Sequence, residues 1–438
     1  MIPYPGGRRL IGCVIIHLIS RTLYITYVKI LHTSDWHIGS SLYGLKRYDE
    51  TEQFLQWLIN TIKNHSIETL LVAGDIFDTS TPSNTAQELY YRFLNEVAKA
   101  SCHVVITGGN HDSPSFLDAP KALLKAFNVH VVGSAAEKGE FEVLVLKDGD
   151  NNPELIVCAV PFLRDRDVRQ SSEGESYQDK ENRLVDGIIS HYQTVYEEAC
   201  RERNDLGKSL PIVGMGHLFI AGSSIYKRAG EASGERDLYV GNLGQVPADR
   251  LPSFDYFALG HLHIPQKVAG NENIRYSGSP MAMNFDEIHQ QKSVVLVDMD
   301  DQHVDVQTIP VPAFRQFEQI RGDWNSIEAS FNKLKEESFT GWVEVIYEGQ
   351  EAIGNLRERV YKLVENTSIE VLKIQNAMLF NAVMKQYEKE VELQDLNPAD
   401  VFDQCLTDHG IPDDQKVVLK GLFSEVCRQI SEADNQKE

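Results

Sequence analysis

The 438-residue chain is short of cysteine, of basic charge and of long apolar runs, and each shortage closes off a class of protein. Its six cysteines (Cys13, Cys102, Cys158, Cys200, Cys405 and Cys427) are scattered, with no C-x-x-C pair among them. That spacing excludes a disulfide framework or a thiolate metal knuckle and fits reduced thiols in a cytoplasmic protein. The formal net charge is -22, whereas a protein that grips nucleic acid unaided needs positive surface against the phosphates. Either the substrate is small, or a partner supplies much of the charge that holds a polyanion. There is no P-loop, so a bound nucleotide is not expected on this chain and any ATP dependence must come from another subunit. Internal repeats and low-complexity segments are lacking as well.

One apolar stretch, GGRRLIGCVIIHLIS near the start, superficially resembles an export signal. His17 and Arg21 interrupt it, no small-residue cleavage site follows, and it is marginal against the roughly 20 apolar residues that span a bilayer. Residues 1–27 are therefore read as an extension arising from start-site assignment. The native chain is expected to begin at Val28, with no membrane association; the N-terminal mass of the native protein checks this.

A hydrophobic content of 42% and a charged content of 24% are those of a globular protein, and the length calls for two or three domains. From Val28 to about residue 310, β-branched runs alternate with amphipathic segments, the pattern of an α/β domain. VKILHTS, ETLLVAG, CHVVITG, LIVCAVPF, PIVGMGH, YFALGH and KSVVLVDM are the strand candidates. Phe54, Leu55, Leu58, Ile59 and Ile62 recur at helical spacing. A second helix carries Leu89, Phe93, Leu94 and Val97 behind a capping-box pattern, Thr85 to Glu88. Residues 314–376 read strand–helix–strand–helix–strand, a small α+β accessory domain without ligand-type residues. In 378–438, Asn397-Pro398 opens one helix. Val418, Leu419, Leu422, Phe423, Val426 and Ile430 then follow a 3.6-residue period. That apolar stripe either packs on its own chain or docks another protein.

The chemistry lies at the ends of the strand candidates. Asp35 and His37 follow the first (TSDWHIG), Asp75 the second (VAGDIFD) and Asn110 the third (TGGNHDS). His217 ends another (MGHLFI), and His261 and His263 follow the next (LGHLHIP). In an open α/β sheet, groups at the carboxyl ends of strands converge on one cleft. Taken singly, each would be a turn residue or a hydrogen-bonded core histidine; seven ligand-type residues at successive strand ends read instead as a binuclear metal site. Imidazole, carboxylate and one amide oxygen suit manganese, iron or zinc better than magnesium or calcium. Asp75 is the candidate bridge, since a carboxylate offers two oxygens. His111 is the candidate catalytic acid or phosphate-steadying group, with Asp78 and Asp112 supporting the ligands from behind. Arg164, Arg166, Arg169, Lys227 and Arg228 are candidate nucleic-acid contacts from loops.

D-x-H, G-D-x-x-D, G-N-H-D, G-H and G-H-x-H, in this order, resemble the calcineurin-like metallophosphoesterases. The runs ILHTSDWHIG, VAGDIFDTSTPS, VPFLRDRD, ALGHLHIPQ and YSGSPMAMNFDE resemble the SbcD-type nuclease subunits among them, and this likeness extends from Val28 through the tail. The resemblance implies a four-layer α/β/β/α sandwich, a capping domain and a C-terminal helical region that binds an SbcC-type ATPase. It also implies two Mn²⁺ ions: Asp35, His37, Asp75 and His263 at one, Asp75, Asn110, His217 and His261 at the other, with His111 assisting catalysis. The implied activity is 3′→5′ exonucleolytic cleavage of double-stranded DNA ends and endonucleolytic cleavage of hairpins or single strands. It would act in repair, recombination and replication, from a homodimer within a heterotetramer. Two other readings compete: a phosphoesterase for a small nucleotide or cyclic nucleotide, and a scaffold that has kept the fold without the chemistry. The first leaves the accessory domain and tail without a purpose; the second would be marked by lost ligands, and none is missing.

Overall fold

The computed structural model describes residues 27–136, 141–168, 176–223, 245–349, 353 and 355–377, with positions 416 and 420. The chain divides between Arg315 and Gln316 into two compact units.

In the first unit, evenly apolar runs become strands covered on both faces, as such runs do in parallel sheets. One six-stranded sheet has the order β14–β13–β1–β4–β5–β6. Its members are β1 (Val28–Thr33), β4 (Thr69–Ala73), β5 (His103–Thr107), β6 (Val129–Val132), β13 (Ser293–Met299) and β14 (Val304–Pro310). A second six-stranded sheet has the order β11–β12–β10–β9–β8–β7. It contains β7 (Val143–Lys147), β8 (Pro153–Ala159), β9 (Ile212–His217), β10 (Tyr256–Gly260), β11 (Gln266–Val268) and β12 (Asn271–Tyr276). A short hairpin, β2 (Ser41–Leu42) with β3 (Leu45–Lys46), stands apart. Strands β1, β4 and β5 run parallel, as do β9 and β10.

Alternation along these strands sorts side chains into three cores. Ile30, Leu71, Ala73 and Val105 face Val157, Val213, Met215 and Tyr256 between the sheets. Leu31, Leu70, Val72 and Ile106 turn the other way, onto helices α1 (Tyr48–His65) and α2 (Asn84–Ala98). Ile156, Cys158, Ile212, Phe257 and Leu259 pack outward against the helix Tyr177–Leu206. The result is the expected four-layer α/β/β/α arrangement.

Helix α1 buries Phe54, Leu55, Leu58, Ile59 and Ile62, as their spacing predicts. Asp49 and Glu50 in its first turn and Lys63 and His65 in its last complement its dipole. The capping box predicted at Thr85 is not the start of α2. Ser83 caps it, its hydroxyl accepting from the Ala86 N–H, and Thr85 is already the second helical residue. Extended Ser83 (ψ 161°) can aim its oxygen back at the helix, and a helical residue cannot. No motif announced the 30-residue helix Tyr177–Leu206, whose capping box is Ser176 with Asp179.

The second unit, as described, is a three-stranded parallel sheet of order β15–β16–β17, formed by Gln316–Gly322, Gly341–Tyr347 and Ile369–Asn376. The crossovers are the helices Trp324–Glu336 and Leu356–Val364, packed on the sheet through Ile327, Phe331, Val343, Val345 and Val360. The extension before Tyr27 and the helical region expected from 378 lie outside the described residues, apart from Lys416 and Lys420. Among the described residues no helix is long and apolar enough to cross a membrane.

Candidate metal centre

Central strands of both sheets end at one rim, and their first loop residues meet there. Asp35 and His37 follow β1, Asp75 follows β4, Asn110 follows β5, His217 closes β9, and His261 and His263 follow β10. Backbone bonds lace these loops together: Asp35 N–H to the Gly74 carbonyl (3.0 Å) and His37 N–H to the Asp75 carbonyl (3.0 Å). Across the sheets, the His261 N–H donates to the Asp35 carboxylate at 3.0 Å, and His217 Nδ1 donates to the Ala73 carbonyl at 2.9 Å. The close approach depends on glycine. A Cβ at Gly74 would run into the His217 ring, and one at Gly109 into the Asp75 carboxylate.

All seven predicted ligands gather in two adjoining clusters. In the first, His37 Nε2 lies 3.2 Å from His263 Nε2 and 3.6 Å from Asp75 Oδ2, and Asp35 offers an oxygen to the same group. In the second, Asn110 Oδ1 lies 3.0 Å from His217 Nε2 and 3.1 Å from His261 Nδ1, while Asp75 Oδ2 lies 3.3 Å from His217 Nε2. The same Asp75 oxygen therefore sits between the two clusters. Asp35, His37, Asp75 and His217 form the buried floor; Asn110, His261 and His263 are half-buried at the mouth.

The charge balance of this pocket fits a cation. Burial lowers the His37 pKa despite the nearby Asp78 and Asp75 carboxylates, and its Nε2 lies 3.2 Å from that of His263. Enclosure of the His261 nitrogens, reinforced by charge on His217, pushes that ring down to about 3, and its Nε2 is buried without a hydrogen-bond partner. Burial alone would raise Asp75, but the His217 imidazolium holds it well below the usual carboxylate range. Burial would likewise lower His217, yet Asp75 holds it up to about 9. In the metal-free pocket a proton on His217 thus answers the carboxylate charge. Lone pairs of this mixed set, converging with few protons among them, make a cradle for divalent cations.

His111 comes to the same rim. Its N–H donates to Asp75 Oδ1 at 2.9 Å, its Nδ1 to the Asp78 carbonyl at 2.9 Å, and its ring lies edge-on to His37. That tautomer leaves Nε2 as the ring nitrogen not committed to Asp78. The Asp78 carboxylate approaches His37 Nδ1 at 3.3 Å. Asp112 ties two loops together, accepting from the N–H groups of Ile76, Phe77 and Gly109. Burial and the neighbouring Asp75 charge raise its pKa to about 6 against those three bonds. Of the predicted nucleic-acid contacts, half-buried Arg164 packs 5.7 Å from the Phe162 ring and donates to the Asp112 carbonyl, so it borders the centre. Arg166 is 77% exposed and, among the described residues, pairs with neighbouring Asp167 at 3.7 Å. Arg169, Lys227 and Arg228 lie outside the described residues.

Motif reasoning missed the groups that brace the ligands. Ser34 donates to Asp35 and meets Ser277 at 2.8 Å; the hydroxyls of YSGSP gave no ligand signal. Lys292 and Glu287 form a buried pair beneath His263, and each reads in sequence as an ordinary surface charge.

The calcineurin-like phosphoesterase family profile matches residues 28–265, and the SbcD C-terminal profile, described as Type 5 capsule protein repressor C-terminal domain, matches 313–409. The SbcD component of the SbcCD nuclease of Escherichia coli (strain K12) is 32% identical over 92% of this chain and 99% of its own length. Its Rhodobacter capsulatus counterpart is 32% identical over 70% of this chain and 76% of its own. In the Bacillus subtilis counterpart the identity is 32% over 62% and 66%. With the strand-end rim in the family's order and the Escherichia coli relative matched almost end to end, the chain belongs to the calcineurin-like metallophosphoesterases, in the group of SbcD nuclease subunits.

Proposed function

We propose that this chain is the nuclease subunit of an SbcCD-type complex: a Mn²⁺-dependent phosphodiesterase acting with an SbcC-type ATPase. It would cleave double-stranded DNA ends 3′→5′ and nick hairpins or single strands. The observation that carries the reading is the convergence of Asp35, His37, Asp75, Asn110, His217, His261 and His263 on one rim, with a single Asp75 oxygen between the two clusters. Asp35, His37, Asp75 and His263 would hold one cation, and Asp75, Asn110, His217 and His261 the other.

When bound, a pair of divalent cations activates water at neutral pH and neutralises phosphate charge. The rest falls to the chain. Asp75 supplies one carboxylate to both clusters and so sets their spacing. His217 gives up the proton it holds in the metal-free pocket, which makes cation binding favour higher pH. His111, its Nδ1–H held by the Asp78 carbonyl, would take a second proton on Nε2 and, as the imidazolium, give it to the leaving oxygen. Arg164 steadies a phosphate beside the Asp112 loop.

The net charge of -22 fits a subunit whose partner carries much of the DNA grip, within a cytoplasmic heterotetramer built on a homodimer of this chain. The test is to incubate the purified chain, alone and with its SbcC-type partner and ATP, with Mn²⁺ and three substrates. These are linear duplex DNA, a hairpin and bis-p-nitrophenyl phosphate. Partner-stimulated cleavage of hairpin and duplex is expected. Hydrolysis of the small ester with no DNA cleavage in the complete mixture would favour a small-nucleotide phosphoesterase instead.

A further inference from the structure

Beneath His263 lies a charged pair that the proposed chemistry does not use. Lys292 is 6% exposed, and its ammonium donates to Glu287 Oε2 (2.7 Å), the His263 carbonyl (2.9 Å), Ser279 Oγ (3.2 Å) and Gln290 Oε1 (3.2 Å). Glu287, 8% exposed, also accepts the Met283 N–H at 3.0 Å and the Asn284 amide at 3.2 Å. Its other face turns to His263, with Oε1 3.8 Å from Nδ1. The His263 carbonyl takes a further bond from the Ser279 N–H at 3.2 Å.

A buried ion pair is an expensive structural device. Desolvating both charges costs several kcal/mol each, and an apolar pair of similar volume is often as stable. This pair spreads its hydrogen bonds over the loops at the rim, Lys292 to the His263 carbonyl, Ser279 and Gln290, and Glu287 to Met283 and Asn284. The His263 side chain is 19% accessible at the mouth, so packing alone does not fix its ring. Its backbone is pinned from below by Lys292 and Ser279, and Nδ1 faces the Glu287 carboxylate. Nε2 points the other way, to His37 Nε2 at 3.2 Å. A carboxylate behind a metal-binding imidazole fixes its tautomer and raises its basicity.

We infer that Glu287 and Lys292 are positioning residues: they hold His263 as the Nδ1–H tautomer with Nε2 turned into the first cluster, and so set the affinity of that cluster for its cation. The inference rests on the metal-centre reading proposed above.

The test uses the full chain and Mn²⁺ alone, titrated by electron paramagnetic resonance and calorimetry after metal stripping. Glu287→Gln leaves the ammonium buried and unpaired and is expected to unfold readily. The double variant Glu287→Gln with Lys292→Met removes both charges at nearly constant shape and keeps the fold. In it, one of the two Mn²⁺ equivalents should weaken by about 10- to 100-fold, the other staying as in the native chain. Lys292→Arg should keep most of the affinity. In the native, metal-free protein, ¹⁵N resonances of His263, assigned by their loss in His263→Gln, should report a protonated Nδ1 and a bare Nε2. This holds whatever becomes of the variants. Two native-affinity equivalents in the double variant, or a protonated Nε2 in the native chain, would overturn the inference. A native chain that binds no Mn²⁺ would overturn the metal-centre reading itself.

Discussion

Asp35, His37, Asp75 and His261 have φ values of 53°, 43°, 51° and 97°. For residues bearing a Cβ this left-handed region costs about 1–2 kcal/mol each. The chain tolerates it because the turns are over-determined, with Asp35, His37 and His261 each bonded through the backbone to a neighbouring loop. Eight other described non-glycine residues share this region, Ser66 and Asn128 at helix ends among them, and four candidate ligands at a single rim are the one cluster in which function is proposed. His111 can be separated from the ligands, since its tie to Asp75 runs through its main-chain N–H. His111→Gln is therefore expected to lower kcat by about 10²- to 10⁴-fold with Mn²⁺ stoichiometry unchanged; a variant of native activity would remove His111 from the chemistry. Buried His32 lies between the sheets, bonded to the Tyr256 hydroxyl (2.9 Å) and the Leu259 carbonyl (3.2 Å), and burial pushes it down to about 3. The folded chain keeps it neutral where the unfolded chain, with a pKa near 6.5, is protonated. Stability present above that pH is thus lost as pH falls toward 3. Between pH 7 and pH 4 the native protein should lose on the order of 3 kcal/mol more than His32→Gln, at about 1.4 kcal/mol per pH unit. Denaturant unfolding at the two pH values checks this, and equal losses would contradict it.

The elements that carry the ligands were legible because buried parallel strands leave long β-branched runs, and the glycines and ligands punctuate their ends. Thr69–Ala73 and the evenly apolar Tyr256–Gly260 are both wholly buried, the first followed after Gly74 by Asp75 and the second directly by His261. Other elements gave less away. The strand Val304–Pro310 is largely exposed, and the helix Tyr177–Leu206 carries charge along most of its length, so neither has a long apolar signal. The start of α2 was misplaced because Ser83 and Thr85 are both plausible caps and only the backbone angle distinguishes them. Asp112 was legible as support from its place in GNHD, but the bracing by Lys292 and Glu287 was not, because a buried Lys or Glu is written in the same letter as a solvated one. Asp112 joins the turns after β4 and β5 through three N–H bonds. Asp112→Ala leaves those donors unanswered at about 1 kcal/mol or more apiece, so the variant should lose roughly 3 kcal/mol in denaturant unfolding. A loss under about 1 kcal/mol would mean the turns hold themselves.

For the whole molecule the question is why an acidic chain should cut a polyanion. Two cations at the rim, as proposed, would reverse the sign locally, and the proposed partner would do so over a longer range. The division of labour predicts that cutting the chain at about residue 378 abolishes the complex with the SbcC-type ATPase while Mn²⁺-dependent hydrolysis of a small ester persists. Co-purification of truncated chain and partner would contradict the docking role given to the tail. The central claim is that side chains from distant stretches enclose two neighbouring cations. Anomalous diffraction from crystals of the full chain grown with Mn²⁺ tests it most directly. Two manganese peaks about 3.5–4 Å apart, both touched by Asp75 and flanked by His37 with His263 and by Asn110 with His217, are predicted. A single peak, or none, at an otherwise ordered rim would contradict it.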